Sequence, residues 1–292
     1  MNNIQILLSH RKAEPEDSVL YLVGTPIGNL DDISIRAINI LKKVSLIACE
    51  DTRTTGNLLN HLDIKNKLIS FHKYNSSKRL DYMISKLKEG KSIALVTDAG
   101  MPLISDPGEI LVKQVKINNF DVICIPGPCA ALTALVSSGL TSSKFTFYGF
   151  IPKINKERSS LLELISESNL TSIIYESPKK ILRLLHDLKK VCGGDRSLVI
   201  LKEMTKRYEQ QIGDNIDEVI SHFEKIEPKG EFTLILGGSK FDSEINTTKS
   251  LKNDLINLMQ AGLSHSSAAN YLSKKSGKSK NEIYKLILGN DL

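Results

Sequence analysis

The chain has 292 residues, 41% of them hydrophobic, and 39 Lys and Arg against 33 Asp and Glu give a net charge of +6. That length exceeds one typical domain, and the apolar fraction lies near the globular average, which excludes a disordered chain. The mild basicity permits an anionic partner without demanding one.

The opening MNNIQILLSHRKAEPEDS has a three-residue apolar run with no basic flank ahead of it, so it does not read as a signal peptide, and residues 1–17 are expected to form a flexible arm. VLYLV (19–23) then predicts a strand of β-branched and aromatic residues, stopped by GTPIGN. Apolar residues at 33, 37, 38, 41 and 44 have the helical period. SLIACE (45–50) is a second strand, 54–62 a helix, KLISF (67–71) a third strand and 81–88 a helix. SIALVT (92–97) is the fourth strand, 109–117 a helix, VICI (122–125) the fifth strand, and 129–136 a helix after a Pro-Gly-Pro turn. This alternation argues for a mostly parallel sheet covered by helices, spanning 18–152.

YGFIPKINKER (148–158) interrupts the pattern and places a domain junction near 152. A second α/β unit, 153–241, carries strands at 172–176, 197–203, 208–213 and 232–237 and helices at 178–191 and 216–224. KFDSEINTTKS reads as a polar linker, and three short helices are expected over 251–289, within a tail of 245–292. Residues 122–143 carry no charge, but Pro126, Gly127, Pro128 and Gly139 break the run, so it reads as strand, turn and buried helix rather than a membrane span. Cys49, Cys124, Cys129 and Cys192 form no CxxC pair, which fits buried thiols in a reducing, cytoplasmic compartment and no metal centre.

In an open α/β sheet, ligands bind beyond the carboxyl ends of the strands. Five turn-rich stretches fall there: GTPIGNL, EDTR, FHKYN, DAGMP and PGPCAAL. No GxGxxG and no Walker loop is present, so the standard phosphate cradles are absent. The acidic, partly apolar DAGMP loop suits a ligand with an ammonium end and a flat apolar end.

GTPIGNLDDISIRA, LIACEDTR, DAGMPLISDPG, PGPCAALTAL and FYGFIP, followed by YESP, KEMTKRYE and GEFTLIL, resemble in order and spacing the ribosomal RNA small-subunit methyltransferase I family. That family belongs to the tetrapyrrole-methylase-like enzymes that use S-adenosylmethionine (SAM). Met101 stands where the family usually has Thr, Glu109 where it usually has Tyr, and Tyr74 where a second His is usual. The resemblance implies two α/β domains with a SAM cleft between them, followed here by a small helix-turn-helix-like module. It also implies 2′-O-methylation of a cytidine ribose in 16S rRNA of the small ribosomal subunit, with SAM as methyl donor, no metal, and a homodimer as the assembly.

For the cofactor, the resemblance points to Pro26, Asp98, Gly100, Met101, Pro102, Ser105, Asp106 and Ala130 in the first domain, and to Glu176, Glu203 and Glu231 in the second. Ser105 and Asp106 can equally cap the following helix, with Pro107 at its first position. Arg53 suits a phosphate, and Asn75 can read a base edge or close a turn. The reaction is an in-line displacement that needs a base for the ribose hydroxyl, worth roughly 10²–10⁴-fold. Asp51, His72 and Lys206 are the candidates; Arg53 is not, because it stays protonated.

In the tail, Ser264 and Ser279 can cap two helices around a turn at Gly277, and Lys274, Lys275, Lys278 and Lys280 are placed to meet RNA phosphates. Two rival readings stand beside this one. The first is a SAM enzyme of the same superfamily acting on a tetrapyrrole or other small molecule, and the second is a non-catalytic ribosome-binding factor.

Overall fold

A computed structural model describes residues 14–239, 248–276 and 278–288. The first unit runs β1 (Leu20–Val23), a 3₁₀ turn (Leu30–Asp32), α1 (Ile35–Lys43), β2 (Leu46–Cys49), α2 (Thr52–His61), β3 (Leu68–Ser70), α3 (Ser76–Lys88), β4 (Ile93–Leu95), α4 (Glu109–Ile117), β5 (Val122–Ile125) and α5 (Ala130–Ser137). Its sheet has the order β3-β2-β4-β1-β5 and every pairing is parallel. Successive strand residues face opposite sides, so the sheet serves two cores. Tyr21, Ile47 and Ala94 pack with Ile40 and Leu41 of α1, while Leu20, Leu46 and Ile93 pack with Met83 and Leu87 of α3 and Leu111 of α4. Truncating a fully buried residue such as Ile93 to Ala costs about 2–5 kcal/mol.

Polar residues fix where the helices begin. Ser34 accepts the Ala37 N–H at 3.1 Å to cap α1, and Asp51 accepts the Arg53 N–H at 2.8 Å to cap α2. Of the expected flexible arm, residues 1–13 lie outside the described residues. Residues 14–17 are held against the first unit: the Glu14 carboxylate accepts from Arg36 Nε at 2.8 Å, and the Glu16 N–H donates to the hydroxyl of fully buried Tyr21, also at 2.8 Å.

The second unit comprises β6 (Phe145–Phe150), α6 (Asn155–Glu167), β7 (Thr171–Glu176), α7 (Ile181–Cys192), β8 (Leu198–Lys202), β9 (Gln210–Ile212), α8 (Ile216–Lys225) and β10 (Phe232–Leu236). Its sheet order is β6-β7-β10-β8-β9, with only β6 and β7 parallel. The change of sheet therefore falls before Phe145 rather than near 152. Phe145–Phe150, rich in aromatic residues, pairs with β7, with a bulge between Phe147 and Gly149, where φ is +62°.

One face of the second sheet is covered by α6, α7 and α8. The other receives α5 of the first unit: Ala131, Ala134 and Leu135 pack on Ile173, Val199 and Ile235, together with Ile27 from the loop after β1. This shared apolar layer fixes how the two sheets face each other, and so where a cleft lies between them.

The tail forms α9 (Thr248–Gln260), α10 (His265–Ser276) and α11 (Lys280–Leu288). Leu255, Ala268, Ala269, Leu272 and Ile283 make a small core of its own. The Ser267 N–H donates to Ser264 Oγ at 3.2 Å; the Glu282 N–H donates to Ser279 Oγ at 3.3 Å and the Ser279 N–H to the Glu282 carboxylate at 2.8 Å, a capping box. Among the described residues, no helix is long and apolar enough to cross a membrane.

Candidate active site

The site is built from loops at the carboxyl ends of the parallel strands. After β1, the Thr25 N–H donates to the Gly100 carbonyl at 2.9 Å, the Gly100 N–H donates to the Thr25 carbonyl at 3.1 Å, and the Thr25 hydroxyl donates to the Thr97 carbonyl at 3.1 Å. This clasp folds the loop after β4 back over β1. Gly100 has φ +85°, and Leu103 and Ser105 also lie in the left-handed region. The loop ends at Gly108, φ +140°, which precedes α4; a Cβ there would lie 2.8 Å from Leu95 Cδ2. Gly108, not Ser105 or Asp106, thus occupies the cap position.

A cleft of about 410 Å³ opens between this loop and the second sheet, at the end of β7 and the start of β10. The antiparallel register sets Glu176 opposite Phe232, which brings the two strand ends to one edge. On another side, the Asn29 N–H donates to Thr205 Oγ1 at 3.0 Å, joining the first loop to the segment after β8.

The cleft has apolar walls, including Ile27, Met101, Ala130 and Phe150, and an acidic lining of Glu50, Asp98, Asp106, Glu176 and Glu231. Burial pushes the Glu50 carboxyl up, and Asp106 and Asp98 add to the shift. Burial also pushes Asp106 up, against a hydrogen bond with Thr97. Tyr175, whose ring meets Phe147 and Phe150 edge-on at 5.1 and 5.7 Å, is pushed up to about 12 by burial and then by Cys129. Glu176 is buried, and its Oε1 accepts the Ser177 N–H at 2.7 Å.

Of the expected cofactor residues, Asp98, Gly100, Met101, Ser105, Asp106, Ala130, Glu176 and Glu231 line this cleft. Pro26, Pro102 and Glu203 do not. Pro26 faces a smaller neighbouring pocket, and Pro102 is buried behind the loop. Glu203 accepts the Glu231 N–H at 2.9 Å and the Lys206 ammonium at 3.1 Å, beneath the cleft edge.

The three expected bases fare differently. Asp51 is engaged as a helix cap and in a bidentate pair with Arg53, which lowers its carboxyl to about 2 and leaves it a poor proton acceptor. Lys206 donates to Glu231 at 2.8 Å and to Glu203 at 3.1 Å; burial lowers its pKa, but the two carboxylates outweigh burial and raise it, so it stays protonated. His72 lies outside the cleft lining, its Nδ1 accepting the Tyr74 N–H at 3.2 Å.

Asn75 closes the turn after β3: its Oδ1 accepts the His72 N–H at 2.9 Å, and its Nδ2 donates to the Ser70 carbonyl at 3.2 Å. Both ends of the amide are thus engaged inside the turn. Arg53, with 88% of its side chain exposed, extends from the start of α2. Lys274 is exposed, Lys280 donates to Ser266 at 3.0 Å, Lys278 is half-buried, and the side chain of Lys275 lies outside the described residues.

Glu50 and Tyr175 line the cleft as well; EDTR puts Glu50 at the rim without a role as base or cofactor ligand, and Tyr175 has none from the sequence, although each sits in a quoted motif. Glu50 opens EDTR and Tyr175 opens YESP.

Residues 19–220 match the family of tetrapyrrole (corrin/porphyrin) methylases. The chain is similar to proteins named ribosomal RNA small subunit methyltransferase I. It is 41% identical to one from Synechocystis sp. over 92% of this chain and 97% of the relative, and 40% identical to one from Escherichia coli O157:H7 over 96% and 98%. Another, from Thermotoga maritima, is 46% identical over 76% of this chain and 99% of the relative. Among solved structures, uroporphyrin-III-C-methyltransferase from Thermus thermophilus aligns with a TM-score of 0.55 at 16% identity, covering 75% of this chain and 94% of that one. Cobalt precorrin-4 methyltransferase aligns at 0.54 and 14% identity, covering 75% and 95%.

Proposed function

The chain belongs to the ribosomal RNA small subunit methyltransferase I family, within the tetrapyrrole methylases, and from that premise we propose that it transfers a methyl group from SAM to the 2′-oxygen of a cytidine ribose in 16S rRNA. The cleft between the two sheets carries the proposal. Its volume lies within the roughly 300–1,000 Å³ of small-molecule sites, and it pairs apolar walls with carboxylates.

That combination fits SAM, which when bound supplies an activated methyl on a sulfonium centre. Asp98, Asp106 and Glu176 offer negative charge for its two positive centres, and Ile27, Met101 and Ala130 offer apolar cover for its adenine. Lys206 ties Glu203 to Glu231 and so braces the second-sheet side of the cleft.

Glu50 is the residue best suited to take the ribose proton. It lines the cleft, and its proton affinity is raised toward the working pH, as a general base requires. Arg53, exposed at the rim, is suited to an RNA phosphate.

The tetrapyrrole reading rests on the family match over residues 19–220 and on solved neighbours of 14–16% identity, which carry the fold alone, whereas the relatives at 40–46% identity are named for ribosomal RNA. Incubating the protein with methyl-labelled SAM and small ribosomal subunits tests the proposal: label is expected on a cytidine ribose. A protein that binds SAM but transfers label only to a porphyrinoid would refute it.

A further inference from the structure

A second pocket, of 200 Å³, adjoins the cofactor cleft on the first-sheet side, and Thr97 and Asp98 form the wall shared by the two. Pro26 and Leu30, from the loop after β1, and Leu58 of α2 supply apolar surface. Thr54 and Asn57, also on α2, supply polar groups. Positions 54, 57 and 58 follow the i, i+3, i+4 spacing, so one helix face presents all three. Among the described residues, neither the Thr54 hydroxyl nor the Asn57 amide has a hydrogen-bond partner. Arg53, exposed, precedes Thr54 in the first turn of the same helix.

We propose that this pocket holds the pyrimidine base of the target nucleotide, unstacked from its RNA, with Asn57 and Thr54 hydrogen-bonding the base edge. Three observations support it. The volume is below the roughly 300–1,000 Å³ of drug-sized sites, which suits a single small ring. Apolar sides with a polar edge match a flat heteroaromatic ring, and proteins that read RNA by sequence take up such splayed bases. The amide of Asn57 offers both a donor and an acceptor, which a pyrimidine edge requires.

The shared wall adds a geometric consequence. A base in the small pocket leaves its ribose at Asp98, next to the cofactor cleft, with the 5′ or 3′ phosphate on the Arg53 side. The pocket therefore reads the base, and the cleft performs the transfer. Discrimination against purines falls to the edge contacts of Asn57 and Thr54, which a purine presents differently.

This assignment rests on the functional reading above and deepens it. The test compares the full-length protein with Asn57→Ala and Leu30→Trp, using unmethylated small subunits and SAM. Leu30 is 39% exposed, so its replacement narrows the pocket without entering the core. Each variant is expected to raise the KM for subunits about tenfold or more while calorimetry finds SAM affinity unchanged. Subunits reconstituted with uridine at the target position should remain substrates within about tenfold of cytidine, whereas adenosine should lower kcat/KM by about a hundredfold. Unchanged subunit KM in both variants, or equal use of adenosine, overturns the pocket assignment alone. Absence of methyl transfer by the unaltered protein overturns the functional reading and the pocket assignment with it.

Discussion

Asp98 accepts the backbone N–H of Asp51 through Oδ1 at 3.1 Å, linking the loop after β4 to the start of α2 across the rim of the parallel sheet. The same carboxylate lines both pockets, so it is a strut as well as a source of charge. Asp98→Asn keeps an acceptor for Asp51 and loses the charge, whereas Asp98→Ala loses both. If the charge meets SAM, calorimetry should find both variants weakened by about tenfold or more, close to 1.4 kcal/mol. Normal SAM affinity in Asp98→Asn alone would reduce Asp98 to a strut.

Gly100 has room for a side chain: a Cβ would meet Ile27 Cγ2 at 3.4 Å, an ordinary contact. Its constraint is the backbone, at φ +85° and bonded on both sides to Thr25. Gly100→Ala should therefore cost about 1–2 kcal/mol of stability by thermal or denaturant unfolding. Gly100→Val should further disturb the clasp and weaken SAM binding by about tenfold. A folded Gly100→Val protein with normal SAM affinity would show that the loop is only a turn.

The strand-and-helix alternation of the first unit was legible because each strand is a short buried run bounded by turn residues, as in Ile93–Leu95 before the DAGMP loop. The tail was legible for a local reason as well: Ser279 and Glu282 stand three apart and form the capping box their spacing announces. Phe145–Phe150 was missed as a strand because it follows an uncharged run and contains Gly149, and α6 because it opens on the charged NKER. Glu50 did not stand out as a candidate base because the burial that leads the rise in its proton affinity, and the carboxylates of Asp106 and Asp98 that add to it, come only with the fold. Asp51 and Lys206 looked available in the sequence, and only the fold puts Arg53 on one and two carboxylates on the other.

Lys206 is expected to act as a cation rather than a base. Lys206→Arg keeps the charge between Glu203 and Glu231 but cannot accept a proton. Steady-state turnover of Lys206→Arg should stay within about tenfold of the unaltered protein, and Lys206→Met should lose more. A loss of about a hundredfold in Lys206→Arg would return Lys206 to the role of base.

Asp51→Asn should be nearly neutral by comparison. Asn caps helices about as well as Asp, so α2 keeps its start, and a carboxyl with a pKa of about 2 is not the proton acceptor being removed. Turnover should fall by less than about tenfold. A loss of about a hundredfold with SAM and subunit affinities intact would contradict the assignment.

The tail has its own core, so removing residues 245–292 should leave SAM affinity unchanged. Subunit binding should weaken, and the slope of log affinity against log salt should flatten by roughly two to four units, in proportion to the number of tail lysines that neutralise RNA phosphates. Unaltered affinity and slope would make the tail a packing element.

Glu50 is the proposed base for the ribose proton. Burial, Asp106 and Asp98 raise its pKa in the fold, so its anion forms, and supports catalysis, only as pH rises through that raised value. The linked stability has the opposite sign: the fold binds the proton more tightly than the unfolded chain, so stability declines as pH climbs from the unfolded pKa through the folded one. The decisive measurement is the single-turnover rate of methyl transfer to a cytidine ribose in small subunits, followed across pH for the unaltered protein and Glu50→Gln at saturating SAM. The predicted result is a rate that rises on the acid side above the usual glutamate range, and a Glu50→Gln rate about a hundredfold lower with that rise gone. An unchanged rate and profile in Glu50→Gln, with ribose methylation intact, would contradict it.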